Sequence, residues 1–375
     1  MTKIHPAFAE IAAGTVYRSP AGVEEVAINP RCALLPQGVL ACSFMLQSGF
    51  GVNDFKPLFV FSRDGGLTWS EPRLIWPQLV DRLSCIGQIS AIPGTDSLLF
   101  FGVGCPIDQP GEIYWREDIR GLKQNQLIWA RSDDRGETWT EPETVAMPQA
   151  GSAEAQGPML VTQDGTWLAC YAPYRNWDPA AKVELNCLMQ LRSCDQGKSW
   201  NFQRIMTFAE PESGAAEAWM AECGKDRLIA TCWHTNLAAT GGDFSNKYAL
   251  SQDGGLSWSG PHDTAIQGQS TALLTLDERK VLFLYNQRKK GEPGIRAAVI
   301  ELDNAGAKIV RDEMLWAAKS GTRSDSSGDH ANWTDFSFGE PAMTRLNDGR
   351  FVLVFWEKGS SGQSGISLRV FAGSV

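Results

Sequence analysis

Apolar and polar positions follow a unit that recurs along the whole chain. Each copy has a short strand-like run, a polar turn and a more apolar run, as in QGPMLVTQDGTWLACYA from Gln156. The six copies open at Asn29, Gln88, Gln156, Glu217, Ser270 and Glu340. Short apolar runs separated by turn residues predict β-hairpins. Six hairpins at this spacing indicate a propeller in which each hairpin forms the inner pair of strands of one blade.

A second repeat, Ser-x-Asp-x-Gly-x-x-Trp, follows four of the six hairpins. Its copies begin at Ser62, Ser132, Ser193 and Ser251. The Ser and Asp side chains can bond backbone amides in a tight turn, and the Gly accepts a backbone conformation that other residues resist. The Trp can cover the turn and pack on a neighbouring strand. We therefore expect each box to be a structural turn from the third strand of a blade to the fourth, and we interpret ELDNAG near Asp303 as a remnant in blade five.

These repeats predict an all-β fold, a six-bladed β-propeller with four-stranded antiparallel blades. The C-terminal GISLRVFAG and the N-terminal GTVYRSP are expected to share the last blade and close the ring, which removes an exposed sheet edge. The stretch HPAFAEIAAG predicts a short N-terminal helix. No linker or change in composition divides the chain, so residues 1–375 are expected to form one domain.

Composition narrows the classes of function. The net charge of −9 argues against a nucleic-acid surface, which needs clustered Lys and Arg. No apolar stretch approaches the roughly 20 residues that a membrane span needs. The nine cysteines have no metal-ligand spacing, so we expect buried reduced thiols, no metal and no cofactor. With no signal-peptide pattern at the start of the chain, these features predict a cytoplasmic location.

A site is expected where the six inner strands converge on the central axis. The residues that open the hairpins are polar, which suits a solvated pocket better than a packed core. Gln88 and Gln156 are therefore predicted to bind substrate. The ends of the second strands add Arg175, His234 and Arg288 as further binding residues. A long polar loop before blade six, which carries His330 and Asp335, is a candidate lid.

The box repeats and the blade spacing resemble the sialidase (neuraminidase) superfamily over nearly the whole chain. The resemblance implies exo-glycosidase chemistry with a loop Asp as acid/base, a Tyr–Glu nucleophile pair and three Arg that grip a carboxylate. By position, Asp54 matches the loop Asp and Glu217 matches the Glu, whereas Glu340 stands where the Tyr is expected. The family's Arg-Ile-Pro motif aligns with Ile28, Asn29 and Pro30, so the first Arg is missing. Arg288 or Arg296 could supply the third Arg.

The expected function is hydrolysis of a terminal sugar, which can be acidic, by carboxylate acid/base chemistry. Glycoside hydrolysis needs two carboxyl groups beside the scissile bond, and Asp54, Glu217 and Glu340 are the predicted catalytic set. The expected partner is a carbohydrate, with no nucleic acid and no membrane. Two alternatives stay open. One is a polysaccharide or oligosaccharide lyase that uses His234 as its base with Arg175 or Arg288; the other is a propeller that binds a glycan or a protein without catalysis.

Overall fold

The computed structural model describes residues 7–238, 242, 244–288, 291–303, 306–318, 336–359 and 362–373. Within these residues, six antiparallel sheets form the six blades of a propeller. The inner strands of blades one to six are, in order, β2 (Val26–Leu34) and β3 (Leu40–Gln47); β6 (Leu83–Ala91) and β7 (Leu98–Pro106); β12 (Ser152–Glu154), β13 (Leu160–Val161) and β14 (Trp167–Tyr174); β17 (Ser213–Glu222) and β18 (Leu228–Asn236); β21 (Gln269–Thr275) and β22 (Lys280–Gln287); and β25 (Phe338–Arg345) and β26 (Phe351–Lys358).

The two outer strands of each blade complete the four-stranded sheets. In the same order they are β4 (Lys56–Ser62) and β5 (Arg73–Leu74); β10 (Gln126–Ser132) and β11 (Glu143–Val145); β15 (Cys187–Ser193) and β16 (Asn201–Thr207); β19 (Lys247–Ser251) and β20 (Ser259–Asp263); β23 (Gly294–Leu302) and β24 (Ala307–Ala317); and β27 (Ser364–Gly373) and β1 (Phe8–Arg18). A small hairpin of β8 (Trp115–Arg116) and β9 (Gly121–Leu122) lies in the loop between β7 and β10. The fold class predicted from the repeats is confirmed.

The helical elements of the described residues are two short 3-10 turns, Pro36–Gly38 and Pro77–Leu79. None of the helices found there is long and apolar enough to cross a membrane. All nine cysteines are free thiols, and all but Cys194 are buried. The expectation of unpaired, mostly buried thiols is confirmed.

The ring is closed by the first strand of the chain. β1 pairs antiparallel with β27, with Phe8 opposite Gly373 and Arg18 opposite Gly365. The N-terminal strand is thus the outermost strand of a blade whose other three strands are C-terminal, as predicted. The predicted N-terminal helix is wrong, because residues 8–14 belong to this strand. Ala and Glu favour a helix locally, but pairing with β27 and packing of Phe8 on Phe351, at 5.3 Å between ring centroids, override that preference.

Each box forms the turn that its sequence predicts. In blade two, Ser132 Oγ accepts a hydrogen bond from Gly136 N at 2.8 Å and donates one to Asp134 Oδ1 at 2.8 Å. Asp134 Oδ1 also accepts a bond from Thr138 N at 2.9 Å. The Ser that opens each box is the last residue of the third strand, and the fourth strand follows the box. The box is therefore a turn held by its own side chains.

The box glycines also hold neighbouring blades together. A Cβ atom on Gly136 would lie 2.4 Å from the ring of Phe59, and one on Gly197 would lie 2.5 Å from the ring of Trp129. In both cases the ring comes from the third strand of the preceding blade. Gly66 repeats the contact across the closure, because its Cβ would lie 2.9 Å from Leu368 of blade six. One close backbone approach thus recurs between successive blades.

We predict that Gly136→Ala destabilises the protein more than Gly165→Ala does. Both glycines have a φ of +85°, so both alanines carry the same backbone strain, but nothing lies within 4 Å of a Cβ on Gly165. The clash with Phe59 should add roughly 1–3 kcal/mol to the loss at Gly136. Urea denaturation of the two variants measures the difference. Equal losses would show that the box does not pack tightly on the preceding blade.

Candidate functional site

A cavity of about 130 Å³, here called the axial cavity, lies on the central axis and is lined by all six blades. Most of its lining is aromatic or aliphatic. Its polar lining residues are Glu154, Gln156, Glu217, Ser270, Arg288 and Glu340. A cavity with apolar walls and a few convergent polar groups is the usual form of a small-molecule site.

The floor of this cavity is formed by Glu154 and by a ring of polar side chains, here called the axial ring. The axial ring consists of the residues that open the six hairpins: Asn29, Gln88, Gln156, Glu217, Ser270 and Glu340. These six line a small space of about 10 Å³, and four of them also line the axial cavity above it. The convergence expected from the alignment of the hairpins is what the structure shows.

Four members of the axial ring have a backbone conformation that is rare for residues other than glycine. The φ angles are 55° at Asn29, 48° at Glu217, 53° at Ser270 and 49° at Glu340. Each lies where the pairing of its inner strand shifts register. Such bulges redirect side chains and are common beside active sites, where backbone strain is also concentrated. The ring is therefore built from strained positions held by the surrounding sheets.

Two of the four strained amides donate hydrogen bonds to carboxyl groups from adjacent blades. Glu217 N donates a hydrogen bond to Glu154 Oε2 at 2.9 Å, and Asn29 N donates one to Glu340 Oε2. Gln88 Nε2 donates to Asn29 Oδ1 at 2.5 Å. These bonds fix the floor of the cavity from blade to blade.

Three carboxyl groups share this floor, and all three hold their protons unusually tightly. Burial, followed by repulsion from Glu217 and Glu340, raises the pKa of Glu154 to about 8. Burial and repulsion from Glu217 likewise raise the pKa of Glu340 to about 8, against the opposing effects of Asn29 N and Arg288. Burial also raises the pKa of Glu217, although the Ser270 hydroxyl and Arg288 both favour its ionised form. The floor thus contains carboxyl groups in different environments.

Arg288 is the one cation among the residues found to line the axial cavity. Its guanidinium is 3.7 Å from the ring centroid of Phe336. Its Nε donates to Phe338 O at 3.2 Å, and its Nη1 donates to Gln269 Oε1 at 3.4 Å. Arg288 therefore lies in the wall as predicted, with donors already engaged by the protein.

The structure brings together five of the predicted site residues. Gln156, Glu217, Arg288 and Glu340 line the axial cavity, and Gln88 lines the space beneath it. Their roles in catalysis and binding remain predictions. His330 and Asp335 of the candidate lid lie outside the described residues.

Asp54 is not among the residues that line the axial cavity. Its Oδ1 accepts a hydrogen bond from Ser48 N at 3.0 Å, and its Oδ2 is 3.9 Å from Lys56 Nζ. The next residue, Phe55, does line the cavity. The carboxylate therefore fastens its own loop.

Arg175 and His234 also lie outside the axial cavity. Arg175 forms an ion pair with Glu212 at 2.6 Å on a separate surface groove. His234 is fully buried, with ring centroids of Phe208 and Phe244 at 4.2 and 4.6 Å, and burial lowers its pKa to about 4. The preceding residue in each case, Tyr174 or Trp233, lines the cavity instead. Neighbouring residues of a strand point to opposite sides, so a displacement of one position changes the face.

Sequence reasoning missed Glu154. It lies two positions before Gln156, and residues two apart in extended chain share a side, so the period of two could have revealed it. It also missed Tyr114 and Trp115, which reach the cavity from the loop around the β8–β9 hairpin. That loop belongs to no repeat, so alignment of the blades could not place it.

Among the residues that the structure describes, no group of three or more His, Cys, Asp or Glu side chains is arranged to hold a metal ion. The described lining of the site consists of carboxyl groups, other polar side chains, one guanidinium and apolar, mostly aromatic walls.

Comparisons with known proteins agree with this architecture. The chain is similar to a protein of unknown function from Dyadobacter fermentans DSM 18053, with 20% identity, a TM-score of 0.74, and coverage of 99% of this chain and 100% of that one. It is also similar to the NanB sialidase from Streptococcus pneumoniae, with 13% identity, a TM-score of 0.65, and coverage of 98% and 70%. A third similar structure is the Trypanosoma rangeli sialidase in complex with sialic acid, with 14% identity, a TM-score of 0.62, and coverage of 97% and 59%.

At these identities the structural likeness shows a shared fold, that of the sialidase propellers. None of the curated proteins matches the chain. The family model described as a BNR repeat-like domain matches residues 113–353, which is more than half of the chain. The chain therefore belongs to the family of BNR repeat-like domain proteins.

Proposed function

We propose that this protein is a glycoside hydrolase that cleaves a terminal sugar bound in the axial cavity. The observation that carries the proposal is that Glu217 and Glu340, from blades four and six, both line the floor of one cavity. Glycoside hydrolysis uses two carboxyl groups that flank the scissile bond, one as an acid and the other as a base or nucleophile. The sialidase fold of the similar structures supports chemistry of this kind.

The two carboxyl groups have environments that suit different roles. With a pKa of about 8, Glu340 carries a proton at neutral pH and can donate it to the leaving oxygen. Burial also raises the pKa of Glu217, but the Ser270 hydroxyl and Arg288 oppose that rise by favouring the ionised form, which is the form that acts as the nucleophile or the base. In glycosidases the environment of each carboxyl group assigns these roles.

The size of the cavity supports attack at a chain end. A cavity of about 150 Å³ holds one benzene molecule, so a space of about 130 Å³ admits a single ring and not a run of sugars. Trp115, Trp233 and Trp356 form apolar walls beside the carboxyl floor. This arrangement supports the binding of a carbohydrate through its terminal sugar residue alone.

The lyase alternative loses its proposed base. His234 is fully buried between two phenylalanine rings, and Arg175 is paired with Glu212 on another surface. Binding without catalysis has no such obstacle, and the experiment below separates it from hydrolysis.

We predict that Glu217→Gln and Glu340→Gln each lower kcat by roughly 100- to 10,000-fold, because each removes one half of the acid/base pair. Asp54→Asn is the matched control and should keep activity close to wild type, since its carboxylate fastens a loop. A panel of chromogenic glycosides measures turnover, and thermal melts check folding. Wild-type turnover in either Gln variant would overturn the proposal. Sugar binding by the wild-type protein with no cleavage of any glycoside would identify a binding propeller, and an unsaturated uronate product would identify a lyase.

The proton held by Glu154 predicts a loss of stability at alkaline pH. Its carboxyl has a pKa of about 8 in the folded protein and roughly 4.3 in the unfolded chain. Between these values the folded state keeps a proton that the unfolded chain has released, so stability falls as pH rises through this window. Glu154→Gln cannot ionise, and its amide oxygen can still accept the bond from Glu217 N. The variant should lose less stability than wild type between about pH 5 and pH 8, by on the order of a few kcal/mol.

Urea denaturation at both pH values tests this expectation. Glu143→Gln, at an exposed position of β11, is the matched control and should follow the wild-type pH dependence. Parallel pH dependence in Glu154→Gln and wild type would show that Glu154 does not hold a proton in the folded state.

A further inference from the structure

The floor of the axial cavity has more acceptors than donors. Among the described residues, four buried side-chain oxygens there receive no hydrogen bond: Glu154 Oε1, Glu217 Oε2, Gln88 Oε1 and Gln156 Oε1. Glu154 is 9% exposed and Gln88 is 4% exposed, so both are nearly enclosed by protein. A buried acceptor without a donor is costly, and the ligand that belongs here should supply N–H or O–H groups.

The ionisable groups on the floor are all carboxyl groups, so they carry the same sign of charge when ionised. Repulsion from Glu217 and Glu340 raises the pKa of Glu154, and repulsion from Glu217 raises that of Glu340. Arg288 opposes these acids, but its guanidinium is engaged by Phe338 O and Gln269 and covered by Phe336. A ligand carboxylate would meet three acids and no open Arg fork of the kind that grips such a group. The floor therefore disfavours an acidic sugar, whereas a bound cation would stabilise the ionised form of these carboxyl groups.

The walls above the floor have the composition of a cation site. Aromatic residues from five blades line the axial cavity: Phe50, Phe55, Tyr114, Trp115, Tyr174, Trp233, Phe336 and Trp356. Aromatic faces attract organic cations, and ammonium groups are commonly bound in aromatic cages. Aromatic walls over a carboxyl floor thus combine two features that stabilise a protonated amine.

We propose that the sugar taken by the axial cavity carries a protonated amino group, which donates its hydrogen bonds to the unpaired oxygens of Glu154 and Gln156. The sugar part of this proposal rests on the proposed function, whereas the amine part rests on the floor and walls of the cavity. Glu154 is then a residue that determines specificity, and Glu340 stays available as the acid. The expected substrate is a glycoside with a terminal sugar whose amine is not acylated.

Calorimetric titration with matched pairs of sugars tests the amine. The pairs are glucosamine and glucose, galactosamine and galactose, and mannosamine and mannose, all at a pH at which the amines are protonated. At least one amino sugar should bind about 30-fold or more tightly than its neutral partner, the effect expected of a buried charge pair. Equal or tighter binding of the neutral sugars, or no binding of any amino sugar at millimolar concentration, would overturn the proposal.

Two variants locate the effect. Glu154→Gln should remove most of the preference for the amino sugar, because Gln keeps the shape but cannot ionise to pair with the bound ammonium group. Glu222→Gln is the matched control: it removes one acid from β17, the strand that carries Glu217, but lies at the opposite end of the central axis and should leave the preference unchanged. Equal preference in Glu154→Gln and wild type would contradict the assignment of Glu154.

Turnover separates this proposal from the proposed function. Chromogenic glycosides of the same six sugars are compared with the wild-type protein. Cleavage of neutral glycosides in preference to amino glycosides would overturn the proposed specificity for an amine and would support the proposed hydrolase activity. Tight binding of an amino sugar without cleavage of any glycoside would overturn the hydrolase and leave the amine site standing.

Discussion

Closure of the ring by β1 and β27 is the constraint on which the rest of this structure depends. Six twisted sheets can share one axis only when the last blade meets the first, and the N-terminal strand makes that junction by completing blade six. The contact of Gly66 with Leu368 continues across the junction the same packing that joins the other blades. Residues far apart in sequence, such as Asn29 and Glu340, become neighbours at the axis as a result.

The carboxyl groups at the axis have a structural task as well as a chemical one. Glu154 and Glu340 accept hydrogen bonds from backbone amides of neighbouring blades, at positions where the inner strand leaves its regular register. These bonds oppose the rise in pKa, but burial has the larger effect and both acids keep raised pKa values. The fold thus keeps these carboxyl groups protonated by burying them, while their hydrogen bonds to backbone amides hold the strained ring together.

The site differs from the sialidase pattern in the sign of the charged side chains that line it. The resemblance implies a cluster of Arg around a substrate carboxylate, whereas the described lining of this cavity has three acids and Arg288. Glu340 stands where the resemblance places a Tyr, and it adds a further acid to the floor. A shared propeller therefore holds a cavity whose hydrogen-bonding and electrostatic character differ from those that the resemblance implies.

The sequence by itself determined the blades, the box turns, the ring closure and the six residues of the axial ring, because these depend on repeats and on local turn chemistry that can be aligned. Only the tertiary structure decided which side of each strand faces the axis. Tyr174 and Trp233 line the cavity while Arg175 and His234 do not, because a shift of one residue in a strand reverses the direction of a side chain. Loops outside the repeats follow no period at all, and Tyr114 and Trp115 reach the cavity where they pack on Phe55 of blade one and Tyr174 of blade three.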